Sequence, residues 1–145
     1  MDTAADPHDL ARFVVAQEAV YPSVLEELGR GRKASHWMWF VFPQLKALGR
    51  SAMAKRFGIA SSAEAEAYLS HPLLGARLIE CTRLMLFVEG KSALQVLGSP
   101  DDLKFCSSMT LFSALDATAP EFQLALVKYY AGQADEATLS LLGRT

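Results

Sequence analysis

The amino-acid sequence predicts an all-α fold: a compact multi-helical single domain, residues 1–145, built from about eight to ten mostly short helices. Three observations carry this. Helix-start punctuation, a Ser, Thr or Asp followed by proline or an acid, recurs along the chain. Between these starts, apolar residues return at three- and four-residue intervals. Glycine and proline then stop each run after a short connection, too short to separate domains.

Asp6-Pro7 with Asp9 reads as a cap, a proline at the first helical position and an acid in the first turn. Leu10, Phe13, Val14 and Gln17 then share a face. Tyr21-Pro22 opens a second helix with Val24, Leu25 and Leu28 inward and Gly29 as its stop. Residues 37–42, WMWFVF, have strand-like composition, and six apolar residues do not separate helix from strand by period. A lone strand would have no partner, so the stretch is assigned a short buried helix, capped by Ser35 and stopped by Pro43. Ser51 precedes a helical segment over 52–57, and Ser61-x-x-Glu64 is a capping box opening a helix through Leu69. After His71-Pro72, a long helix places Leu74, Leu78, Cys81, Met85 and Val88 at helical spacing and stops at Gly90. Ser92 to Leu97 is a short helix closed by Gly98. Ser99-Pro100-Asp101-Asp102 supplies cap, proline and first-turn acids in succession. Thr118-x-x-Glu121 opens a helix bearing Phe122, Leu126, Tyr129 and Tyr130, and Asp135 caps the last one, with Leu139 and Leu142.

Composition narrows the function classes. About half of the 145 residues are hydrophobic and 21% are charged, which is globular. A net charge of −2 argues against a general nucleic-acid binder, which needs a large basic excess, and leaves room only for a local basic patch. Cys81 and Cys106 lack metal or disulfide spacing and fall on apolar faces, so both are expected to be buried and unpaired. Three histidines do not suggest a metal site, and no cofactor is indicated. The opening MDTAADPHDL lacks a signal-peptide pattern, and the longest strongly apolar run is far too short to span a bilayer. The expectation is a cytoplasmic, reduced protein with no membrane partner.

The common nucleotide, hydrolase and metalloprotease motifs are missing, and chemistry-bearing residues concentrate in three stretches. In the first, the basic loop 29–33 runs into His36, Trp37, Trp39 and Gln44. Lys33 beside a helix start suits an anion, Trp37 or Trp39 could wall a flat ligand, and His36 is the candidate acid or base. The bland alternative is a solvated turn followed by core aromatics. In the second, Arg50 stands beside the capping Ser51, a pair able to hold phosphate or carboxylate. In the third, Asp101, Lys104 and Ser108 share one side of a helix while Ser107 and Thr110 share another. Either these line a pocket, or Asp101 pairs with Lys104 and the hydroxyls bond back to carbonyls one turn earlier. Asp102 reads as a structural first-turn acid.

Four longer patterns carry a resemblance: DLxRFxxAQ at Asp9 to Gln17, GRKxSHWMWFVFPQ at Gly31 to Gln44, YLxHPxLGxRLxECT at Tyr68 to Thr82, and SPDDLKxxSSMTLF at Ser99 to Phe112. Together they closely resemble a bacterial family of all-helical single domains of unknown function, sometimes labelled "calpastatin". The resemblance implies the all-α fold and brings no established activity. The label implies a protease inhibitor, but inhibitors of that name are disordered and polar, unlike this chain. A fainter likeness in small helical build points to domains that handle ADP-ribose and NAD-related metabolites.

Two functions remain open. One is an anionic small-molecule site, phosphorylated or nucleotide-like, in a cleft shared by Lys33, His36, Arg50, Lys104 and Ser108. The other is a non-catalytic structural or protein-interaction module.

Overall fold

The computed structural model describes residues 6–143; the first five residues of the opening stretch lie outside them. Among the described residues there are ten α-helices and no strand. They run α1 (Ala11–Glu18), α2 (Tyr21–Gly29), α3 (Met38–Val41), α4 (Ala52–Arg56), α5 (Ser62–Ser70), α6 (Leu74–Phe87), α7 (Ala93–Leu97), α8 (Asp101–Ser113), α9 (Pro120–Tyr130) and α10 (Glu136–Leu141). A 3-10 turn at Lys46–Leu48 lies between α3 and α4, and a single parallel bridge joins Leu45 to Ile59.

Local chemistry accounts for most of the starts. Ser51, Ser61, Ser92 and Asp135 each accept a backbone N–H three residues ahead, satisfying a donor the helix itself leaves open. At Ser92 the box is complete, because Gln95 reciprocates. At Ser61 it is half a box: Glu64 turns its carboxylate to Arg12 and to the Ala60 N–H.

Other boundaries differ from the sequence expectation. Asp6 does act as a cap, but its carboxylate accepts from Leu10 and Ala11, and α1 starts only at Ala11. Its pKa is lowered by those two amide bonds. Ser35 does not cap α3; Trp37 holds the N-cap position while Ser35 is engaged elsewhere. Pro100, after a cis bond from Ser99, is the N-cap of α8, and Ala119 with Pro120 at the first position replaces Thr118 at α9. The long helix α6 ends at Phe87, before Gly90.

The core is a chain of touching aromatics. Phe13 meets Phe57 and Tyr68; Tyr68 meets Phe112; Phe112 meets Phe122. A second run goes from Trp37 through Phe42 and Phe105 to Tyr129 and Tyr130. Around it α6 packs against α2, α5 and α9, and α8 packs against α9, α7 and α10. A Cβ on Gly75 would lie 2.0 Å from the Leu69 carbonyl oxygen, so only glycine lets α6 approach the end of α5 this closely. Gln17, buried among these rings, donates to the Phe40 carbonyl and the Tyr68 hydroxyl.

Candidate functional site

The residues between α2 and α3 have no regular structure of their own, and one side chain organises them. Glu27, buried in α2 beside Val24 and Leu28, accepts from the Ala34 N–H at 2.7 Å, the Ser35 N–H at 2.9 Å, the Ser35 hydroxyl at 2.6 Å and the Trp37 indole at 2.9 Å. Burial alone would raise its pKa. The donors from Ser35, Ala34 and Trp37 outweigh that and hold it down to about 2. Sequence reasoning missed Glu27. The available signal was an acid on the face of α2 that also carries Val24 and Leu28.

Lys33 continues the same strap. Its N–H donates to the Val96 carbonyl, and its ammonium group lies 2.9 Å from Asp101 and 2.6 Å from the Ser35 carbonyl oxygen. Its side chain is only 8% exposed and rests over the Trp37 ring. Trp37 itself is fully buried. Lys33 thus ties the loop to α7 and α8, and Trp37 ties it to α2. Ser51 is committed to its cap, and Ser107 donates to the Leu103 carbonyl. Thr110 likewise donates one turn back, to Cys106, and accepts the Asp135 N–H.

Lys104 is less fully engaged. Asp101 gives its nearer contact to Lys33, and Lys104 stands 3.9 Å from the other carboxylate oxygen. Its ammonium group lies over the Trp39 ring, 5.4 Å from the centroid. Lys104, Trp39 and Gln44 line a recess with Phe42, Ala54 and Gly58, of about 10 Å³. The Trp39 indole nitrogen is buried without a hydrogen-bond partner, as is the hydroxyl of Ser108, one turn beyond Lys104. Buried polar groups ordinarily have partners, so the unsatisfied indole of Trp39, which lines the recess, marks the place.

The structure therefore brings Trp39, Gln44 and Lys104 together. Lys33 joins them only through the shared Asp101. The recess is not lined by Lys33, His36, Arg50 or Ser108. His36 and Arg50 are exposed, with Arg50 just ahead of the helix that contributes Ala54. Asp102 sits in the first turn of α8, where its carbonyl accepts the Tyr130 hydroxyl at 2.5 Å and one carboxylate oxygen is buried without a partner. Among the described residues no group of three or more His, Cys, Asp or Glu is placed to hold a metal ion. No helix among them is long and apolar enough to cross a membrane.

Comparison with known proteins gives two findings. The sequence model of a family described as "Protein of unknown function (DUF1810)" matches residues 7–142. The crystal structure of the conserved hypothetical protein Rv1873 from Mycobacterium tuberculosis is similar over 97% of this chain and 100% of its own, with 58% sequence identity and a TM-score of 0.93. No curated protein matches the chain.

Proposed function

The chain belongs to this family of proteins of unknown function (DUF1810), and from that premise we propose that it binds an anionic small molecule at the Trp39–Gln44–Lys104 recess. One observation carries the reading: an indole N–H, buried and unpartnered, beside a recess over which a lysine ammonium is held. A recess of about 10 Å³ takes one oxygen atom, so the rest of the ligand lies on the rim. A terminal phosphate or carboxylate oxygen would accept from Trp39 and lie beside Lys104. Arg50, exposed just ahead of α4, whose Ala54 lines the recess, supplies positive charge outside it. The likeness to ADP-ribose and NAD-handling domains favours a nucleotide-like body. The free cysteines support a reducing compartment, the cytoplasm.

A thermal-shift series against inorganic phosphate, sugar phosphates, nucleotides and ADP-ribose tests this. A ligand at about 100 times its Kd adds roughly 2.7 kcal/mol and raises Tm by several degrees. The shift is lost in Trp39→Phe, which removes the N–H and keeps an aromatic ring, and in Lys104→Met. If no anion moves Tm, the second reading takes its place. That reading, a non-catalytic structural or protein-interaction module, is favoured by the small volume of the recess and by the engagement of Lys33, Trp37, Ser51 and Ser107 within the fold.

A further inference from the structure

The longest helix, α6, buries Leu74, Leu78, Cys81 and Met85 on its inner face. Its outer stripe is Ala76, Glu80, Arg83 and Phe87, spaced i, i+4, i+7 and i+11, and all four residues are exposed. Phe87 is 75% exposed, among the largest apolar exposures of the described residues. An open hollow of about 530 Å³ runs along this stripe, lined by Ala76 at one end and Phe87 at the other.

The stripe is complementary to itself when reversed. If two copies of α6 lie antiparallel about a two-fold axis beside the step from Cys81 to Thr82, residues equally far from that step face one another. Glu80 then meets Arg83 of the second copy, and the reverse pair forms at the same time. The small Ala76 meets the large Phe87 of the second copy, again twice. A parallel pairing would instead set Glu80 on Glu80 and Arg83 on Arg83, which like-charge repulsion disfavours. Both charged groups have capacity for this. Glu80 uses Oε1 for the Tyr21 hydroxyl, leaving Oε2 for the second copy, and Arg83 uses Nε for Glu121, leaving its terminal nitrogens.

We propose that the chain self-associates through the outer stripe of α6 as an antiparallel two-fold pair, held by two Glu80–Arg83 contacts and by Phe87 seated over Ala76 of the other copy. This stands independently of the recess. The occupant is a second copy because the stripe carries both signs of charge in an order that an antiparallel copy of itself inverts. A fourteen-residue helix spans about 21 Å, so the interface is small and the dimer concentration-dependent.

Sedimentation equilibrium of the full chain, at concentrations up to about 1 mM, tests the proposal. The wild type shows a monomer–dimer equilibrium. Glu80→Arg and Arg83→Glu each weaken it roughly tenfold or more, and the double reversal, which restores opposite charges across the axis, returns it to within about threefold of wild type. Phe87→Ser abolishes it. Far-UV circular dichroism and thermal melts confirm that each variant is folded, which matters for Arg83→Glu because it also loses the Glu121 contact. A wild type monomeric throughout, or a double variant no tighter than either single one, overturns the proposal. Neither result touches the ligand-induced thermal shift.

Discussion

Glu27 accepts the indole N–H of Trp37 at 2.9 Å, and the same carboxylate closes the loop ahead of it through Ala34 and Ser35. A glutamine there would present an NH2 group to donors, leaving at least one buried group unpaired. Glu27→Gln is expected to cost about 3 kcal/mol by urea denaturation. The pH dependence follows from a carboxyl held down to about 2 from an ordinary 4.5. Its stabilising contribution is complete above about 4.5 and is lost as the pH falls through about 2. The stability gap between wild type and Glu27→Gln therefore narrows across that window. A gap that stays constant would show that the carboxylate charge is not what holds the loop.

Lys33 and Asp101 form a nearly buried ion pair, so removing one partner strands the other. Lys33→Met is expected to destabilise by about 3 kcal/mol. Asp101→Asn in the same background costs little more, since Lys104 is then its nearest cation, at 3.9 Å. A double-mutant cycle by chemical denaturation checks both expectations.

The cysteines are unlike each other, contrary to the expectation that both are buried. Cys81 is fully buried, and burial pushes its pKa up to about 12; Cys106 is only half-buried, with a pKa raised to about 11, mainly by burial and then by Asp135. Thiolate is the reactive form, so maleimide modifies Cys106 slowly and faster as the pH rises, while Cys81 reacts only on unfolding. Mass spectrometry of the labelled native protein distinguishes the two sites. Rapid labelling of Cys81 would contradict its burial.

Ser108 and Thr110 sit on one helix and predict opposite outcomes. The Ser108 hydroxyl is buried without a partner, so Ser108→Ala leaves stability within about 0.5 kcal/mol of wild type or raises it. Thr110 both donates to Cys106 and accepts from Asp135, so Thr110→Val costs about 1–3 kcal/mol. Thermal melts of the two variants, with and without the anion series, also report on the recess: Ser108→Ala weakens binding if its hydroxyl belongs to the site.

The helices were legible where the determinant is local. Ser51, Ser92 and Asp135 cap their own helices through neighbours three residues away, and sequence spacing suffices. The starts at Ser99 and Thr118 shift because a proline sets the boundary: Pro100, next to Ser99, becomes the N-cap of α8, and Pro120, two residues after Thr118, takes the first helical position and leaves Ala119 as the N-cap. The site was legible only in part. Trp39, Gln44 and Lys104 were all singled out, yet their grouping depends on α8 docking against α3. The partner of Lys33 was hidden for the same reason. Helical spacing assigns Asp101 to Lys104, but a lysine from a distant loop takes the shorter contact.

The strap from Arg30 to Trp37 has a kinetic consequence. Glu27 lies close by in sequence, but Val96 and Asp101, which hold Lys33, lie far along the chain and belong to helices that must already be docked. Closing so long a loop for two polar contacts is entropically unfavourable until the surrounding core has formed. The contacts of Lys33 to Val96 and Asp101 are therefore expected to form after the rate-limiting step of folding, so Lys33→Met should speed unfolding and leave the folding rate unchanged in a chevron measurement.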